Sequence, residues 1–239
     1  SHTPPRYLYG FTTAREWKKN IVFRALGETI NHFLRIVDYK SSQNVDYFIA
    51  NSENVRKRIQ KFYRKDAFVI YPPVIVSSSK DLKKNKDYYL AGGRLARPKH
   101  IDLIVQVFAK NNLPLRIFGR GFAGYGEELL KLANNNTKFL GEVTDQEKYE
   151  LMKNAKAFIF ASEDEDFGIT PVEAQALGIP VIAYKSGGVL ETVIDNKTGV
   201  FFNNLSEKSL MEAIDKFNKT KFDNQEIIKQ GEKFSEQLF

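Results

Sequence analysis

The chain has 239 residues, 42% of them hydrophobic and 27% charged, with a formal net charge of +7 and no cysteine. That composition suits a globular protein with a real core, long enough for one large domain or for one domain plus part of another. It excludes a disulfide framework and a thiolate metal site, and shows neither a bilayer-spanning apolar run nor a signal-peptide pattern. A cysteine-free chain fits a reducing compartment, so a cytoplasmic location is expected. The positive charge is crowded into Arg56, Lys57, Arg58, Lys61, Arg64 and Lys65, and again into Lys80, Lys83, Lys84 and Lys86. These read as a solvated helix face and a mobile linker. A peripheral contact with anionic lipid head groups is the functional alternative. No nucleic-acid motif accompanies the charge, so nucleic acid is not an expected partner.

In chain order, residues 1–10 (SHTPPRYLYG) are rich in proline and aromatics and begin abruptly, which leads us to expect natural chain upstream. Residues 11 to about 45 read as helical, with Ile21, Phe23, Leu26, Ile30, Phe33 and Leu34 at mostly helical spacing. DYFIA (Asp46 to Ala50) predicts a short strand, Ser52 a cap for a basic helix, and AFVIYPPV (Ala67 to Val74) a strand closing on two prolines. Ser77 to Asp87 has linker composition. From Tyr88 the pattern alternates regularly. Strands are predicted at Tyr88–Ala91, Leu115–Phe118, Lys138–Leu140, Ala157–Phe160, Val181–Ala183 and Val200–Phe202. Helices are predicted at Ile101–Lys110, Gly126–Ala133, Gln146–Asn154 and Leu190–Ile194, with one more after Thr170. Two closing helices are expected at about Glu207–Phe217 and Glu226–Leu238. Such alternation implies a parallel, doubly wound sheet covered on both faces.

The stretch from Ala161 to Val193, ASEDEDFGITPVEAQALGIPVIAYKSGGVLETV, carries the chemistry. A buried strand gives way to four acids, Glu163 to Asp166, then to Phe167-Gly168 and a helix start. Thr170 as N-cap, Pro171 at the first helical position and Glu173 three residues after the cap predict a capping box. A helix N-terminus facing the mouth of a strand offers free N–H groups and a positive dipole end to phosphates.

Glu165, seven intervening residues and Glu173, with Phe167-Gly168 between them, resemble the E-x7-E signature of family 4 retaining glycosyltransferases. The match continues to Phe202. HTPPRYLY, RIVDYKSSQNVDYFIANS, VIYPPV and GGRLARPK resemble further blocks of enzymes with the GT-B fold. That resemblance implies two Rossmann-like domains facing across a cleft. Residues 1–73 would be the tail of the N-terminal, acceptor-side domain, 74–86 the linker and 87–220 the complete nucleotide-sugar-binding domain. Residues 223–239 would return as a helix to the first domain.

It also implies roles. Arg94 and Lys99 would neutralise the leaving diphosphate, an arginine as a fork and a lysine as a point charge. Glu165 would sit by the transferred sugar and stabilise an oxocarbenium-like transition state. Glu173 would bind the ribose hydroxyls, its charge offset by Arg94 and Lys99. Asp166, Phe167 and Gly168, followed by Ile169 and Thr170, would line the sugar and phosphate positions, and Gly93 and Gly119 would approach the donor phosphates. Val143, Asp145 and Lys148 sit at the spacing of base contacts in guanine-nucleotide users, which favours GDP-mannose. Thr144 with Glu147 forms a second predicted capping box. His2 would line the cleft near sugar and acceptor. Glu163 and Asp164 read as solvated charge, His32 and His100 as surface residues.

The resulting expectation is a hexosyltransferase, closest to bacterial mannosyltransferases of surface-polysaccharide assembly. It would move mannose with retention from a nucleotide-sugar donor to a glycan or lipid-linked glycan at the inner membrane face. Neither a cofactor nor a metal is expected. Two patterns point elsewhere. Asp164-Glu165-Asp166 is formally a metal-binding DxD. Gly119 to Gly124 is formally GxGxxG, with Glu142 near the ribose-acid spacing, which would suit an NAD-dependent oxidoreductase. A nucleotide-binding module without transferase activity is the remaining alternative.

Overall fold

A computed structural model describes residues 3–13, 21–75, 87–122 and 124–239. His2 and most of the predicted linker lie outside these residues. The larger part of the chain is a six-stranded parallel sheet built from β3 (Tyr88–Gly92), β4 (Leu115–Phe118), β5 (Thr137–Phe139), β6 (Ala155–Phe160), β7 (Val181–Tyr184) and β8 (Gly199–Phe202). The order across it is β5-β4-β3-β6-β7-β8. The helices between are α3 (Ile101–Lys110), α4 (Tyr125–Leu132), α5 (Asp145–Lys153), α6 (Ile169–Ala176) and α7 (Val189–Thr192).

Period-two alternation sorts each strand's side chains between two cores. Tyr89, Ala91, Ile117 and Ile159 point to one face, where Ile104, Val105 and Phe108 of α3 cover them. Leu210, Ile214 and Phe217 of α8 (Glu207–Lys219) complete that layer. Leu90, Phe118, Phe158 and Phe160 point to the other, under Met152 of α5, Ala174 of α6 and Val189 of α7. Phe158 is fully buried, worth about 1.5–3 kcal/mol of transfer free energy.

The direction of winding reverses between β3 and β6. Successive connections run outward from β3 to β4 and β5, then return to β6 on β3's other side. The crevice at the carboxyl ends of these two neighbours is where open α/β sheets take ligands.

The first 75 residues contribute a smaller unit. Among the described residues it holds α1 (Ile21–Gln43), β1 (Ile49–Ala50), α2 (Glu53–Tyr63) and β2 (Phe68–Val69), with β1 and β2 paired in parallel. Residues 11–13, predicted helical, are not. β1 and β2 are two residues each, shorter than predicted; Phe48 O and Ala50 O accept from Phe68 N and Ile70 N, and the chain then reaches Pro72-Pro73, which have no N–H to continue the ladder. Ser52 caps α2 as expected, its Oγ accepting from the Val55 N–H at 3.0 Å.

The predicted last helix is broken. α9 (Asn224–Glu232) stops, Phe234 O accepts from Val74 N at 2.8 Å, and a short 3-10 turn, Glu236–Leu238, follows. The chain leaves the helix to pair with Val74. Phe234 then packs against Tyr71 and Phe167, joining the C-terminus to both units.

Candidate active site

A cavity of about 850 Å3 opens at the crevice. Its walls include Gly93, Arg94, Gly119, Val143, Asp145, Lys148, Thr170 and Glu173, so eight of the predicted donor-site residues meet in one place. Its floor is two touching turns. Gly119 follows β4 at φ +116°, and a Cβ there would fall 1.8 Å from Gly93 O. This close approach, after the second strand of the sheet, accounts for the glycine that begins the formal GxGxxG. A second cavity of about 630 Å3, under α5, shares Val143 but has no glycine-rich turn.

The start of α6 differs from expectation. Helical geometry begins at Ile169, with Gly168 in the left-handed region (φ 91°) and no side-chain cap. Thr170 is therefore the second helical residue, two positions past the cap, and no box forms with Glu173. Glycine at this position lets the chain enter the helix without a capping side chain, so the positive end faces the crevice uncovered by one. Glu173 pairs with Lys148 at 2.8 Å instead. The cation offsetting Glu173 is thus Lys148, whereas Lys99 is engaged elsewhere. Burial pulls the Lys148 ammonium down, but Glu173 and Asp145 outweigh it and raise it above its ordinary value. The second predicted box does form: Thr144 N donates to Glu147 at 2.8 Å, and Thr144 Oγ accepts from Glu147 N.

Lys99 follows β3 and Glu165 follows β6, and their side chains form an ion pair in which Ser162 Oγ also donates to Glu165 at 2.8 Å. The Lys99 ammonium lies 5.3 Å from the centre of the Phe160 ring, whose edge is also close to Gly168. Burial pushes the Glu165 carboxyl up, but Lys99, Ser162 and Arg6 more than offset it, and the net shift is below its usual 4.5. A depressed carboxylate stabilises the fold above its unfolded value, and that contribution is lost as pH falls through the folded value. We therefore expect the gap in melting temperature between the unaltered chain and Glu165→Gln to narrow as pH falls below about 4.5. A gap that widened on acidification would contradict the pairing.

The acids of the loop are only partly exposed and each has a protein partner. Glu163 accepts from Thr12 Oγ at 2.6 Å and faces His100 Nε2 at 3.4 Å, so His100 is part of the loop's surroundings. Asp166 accepts from Arg58 at 3.1 Å and Arg6 at 3.2 Å, and Asp164 lies 3.5 Å from Arg58. The carboxylates of the formal DxD are thus turned to arginines of the N-terminal unit. Phe167 is buried against Tyr71, while Ile169 stays exposed at the helix start.

Sequence reasoning missed several of these partners. Arg58 was assigned to a solvated face, yet it is only 7% exposed and stacks 4.3 Å over Phe11. The signal was available: Val55, Arg58 and Ile59 share one helical face at i, i+3, i+4 spacing, and a charge on an apolar face demands a partner. Arg120 and Phe122, also in the cavity wall, were read only as part of a turn.

The strand order, with a crevice at the switch point, defines a doubly wound, Rossmann-type α/β fold. Solved structures agree on the architecture. Sucrose-phosphate synthase from Thermosynechococcus elongatus superposes on the whole chain at a TM-score of 0.75 and 20% identity, the match covering 62% of that protein. Anabaena HepE in complex with UDP and glucose superposes over 91% of this chain and 71% of its own, at a TM-score of 0.70 and 21% identity. Residues 76–234 match the family model for glycosyl transferases group 1, and the chain belongs to that family. Among curated proteins it resembles the alpha-1,3/1,6-mannosyltransferase ALG2 of Kluyveromyces lactis, 27% identical over 202 residues, covering 63% of this chain and 40% of the relative. The Dictyostelium discoideum ALG2 is 44% identical over 69 residues, 29% of this chain and 16% of its own. The chain therefore spans less than half of these curated relatives. No helix among the described residues is long and apolar enough to cross a membrane.

Proposed function

We propose that this chain is the donor-binding part of a retaining mannosyltransferase that uses GDP-mannose and acts on a glycan or lipid-linked glycan. The observation that carries the reading is one crevice holding Arg94, the Lys148–Glu173 pair and the uncapped start of α6, with the Lys99–Glu165 pair beside it at the same end of the sheet. A nucleoside diphosphate needs positive charge and N–H donors at its phosphates and hydroxyl acceptors at its ribose. Arg94 and α6 meet the first need, Glu173 the second. Val143, Asp145 and Lys148, in the wall of the same cavity, would contact the guanine in this reading, and the named mannosyltransferase relatives support mannose as the sugar transferred.

In the transfer step the bond between the sugar's anomeric carbon and the diphosphate oxygen breaks. A bond from that carbon to the acceptor hydroxyl oxygen forms on the same face, and the hydroxyl proton passes to the departing phosphate oxygen. Lys99 and Arg94 stabilise the charge growing on the phosphate, Glu165 the positive charge growing on the sugar. His2 belongs to the acceptor side of this reading. No metal is needed for charge neutralisation when these cations supply it, and a membrane-facing role would use the basic N-terminal unit.

A ligand-stabilisation screen tests the assignment. GDP at about a hundredfold over its Kd should add about 2.7 kcal/mol of stability, with UDP and ADP adding less and NAD nothing. Equal shifts for all three diphosphates would remove the guanine assignment, and a shift with NAD alone would remove the transferase.

A further inference from the structure

Resting on that reading, we propose that Glu191 is a positioning residue that holds the acidic loop, and with it Glu165, between the two units of the chain. Glu191 lies in α7, on the sheet side. Its two carboxylate oxygens accept from Glu53 N and Asn54 N at 2.8 Å each, so it supplies the acceptors for two free N–H groups at the start of α2. Tyr71 OH donates to it at 3.1 Å, and the Tyr71 hydroxyl, partly buried and beside this carboxylate, is pushed up to about 12.

Asn54, which Glu191 ties down, and its neighbour Ser52 grip the loop backbone beside Arg6 and Arg58. Ser52 Oγ donates to Asp166 O at 2.5 Å, and Asn54 Nδ2 to Glu165 O at 3.1 Å. From the other side, Gly188 N, at the start of α7 itself, donates to the same Glu165 O at 2.8 Å. Gly187 and Gly188 press so closely on the loop that a Cβ would come within 2.4 Å of Glu165 O or 2.3 Å of Asp166 O. The loop backbone is thus held between the start of α2 and the start of α7, and Glu191 joins those two starts. A carboxylate at a helix N-terminus also gains from the helix dipole. Losing it frees the start of α2 from α7, and the Ser52 and Asn54 part of the grip on the loop loosens while the Arg6, Thr12 and Arg58 contacts remain.

The test uses three single variants of the full chain, Glu191→Gln, Glu191→Ala and Tyr71→Phe, with two readouts. In hydrogen–deuterium exchange, Glu191→Ala should raise the exchange of residues 163–167 about tenfold together with residues 52–55, leaving β3 and β6 unchanged. Glu191→Gln keeps one acceptor oxygen and should fall between Glu191→Ala and the unaltered chain. Tyr71→Phe keeps both backbone bonds and should leave the loop unchanged. In GDP release from GDP-mannose, Glu191→Ala should lower kcat by roughly tenfold to a hundredfold with KM within about twofold, the signature of a displaced catalytic group. Exchange confined to residues 52–55, a raised KM at constant kcat, or a loop loosened equally by Tyr71→Phe would each overturn the role of Glu191. If the unaltered chain releases no GDP from GDP-mannose, the donor assignment fails while the exchange readout still decides the role of Glu191.

Discussion

Lys99→Ala is expected to lower donor turnover by about 10²–10³-fold while the fold survives, because one side chain serves two charges in turn. In the structure without ligand, its ammonium neutralises Glu165. In the proposed donor complex it would also face the leaving diphosphate, so its loss would remove that stabilisation as well as unpair Glu165. The Glu165 carboxyl, held down by Lys99 against its burial, should then rise. Acidic and basic limbs of the turnover profile would separate the effects: a rise in the acidic limb tracks Glu165, while a uniform loss tracks the phosphate. The pair is about one quarter exposed on each side, so solvent screening limits its structural worth to about 1 kcal/mol. A melting temperature more than a few degrees lower would mean that the lysine is chiefly structural, and unchanged turnover and GDP affinity would remove it from the site.

Gly119→Ala should have the largest effect on stability. Its φ of +116° lies where side chains are strained, and the added Cβ would fall 1.8 Å from the Gly93 carbonyl oxygen. Both obstacles are backbone, so no rotamer change relieves them, and a loss of about 3 kcal/mol or more is expected in denaturant unfolding. Because Gly93 and Gly119 together line the cavity proposed for the donor, the protein that remains folded should also lose its GDP-induced stabilisation. Gly124→Ala is the control. Its φ is also positive, at +78°, but a Cβ would meet nothing within 4 Å. It should cost about 1 kcal/mol and leave the GDP shift intact. Equal losses at the two positions would show that conformational strain, and not the contact with Gly93, sets the price.

Much of this architecture was legible because apolar periodicity reports local burial. The Ile101–Lys110 helix and the Leu115–Phe118 strand match their predicted limits, and the other elements from Tyr88 to Phe202 lie within two residues of theirs. Elements that owe their limits to distant partners were misread. The last helix stops early because Phe234 turns to pair with Val74, 160 residues earlier in the chain. α1 presents Leu26, Ile30, Phe33 and Val37 at helical spacing, yet all four are more than half exposed.

At the site, the residue types and their order were readable, and so was the identity of one cavity's walls, since Gly93, Arg94 and Glu173 lie in motifs that resemble glycosyltransferase blocks and Gly119 in a glycine-rich turn. The pairing was not. Sequence placed Glu173 in a capping box with Thr170 and left the acids at 163 and 164 in water. Folding gave Glu173 to Lys148, Glu165 to Lys99, and the rest of the loop to Arg6, Thr12 and Arg58. By itself the sequence determined the strands, the helices, the glycine turns and the charges available to the crevice, because each depends on neighbours a few residues away. Which charge faces which was decided only by the tertiary structure, because an ion pair forms between groups brought within about 4 Å, and no local pattern encodes that distance.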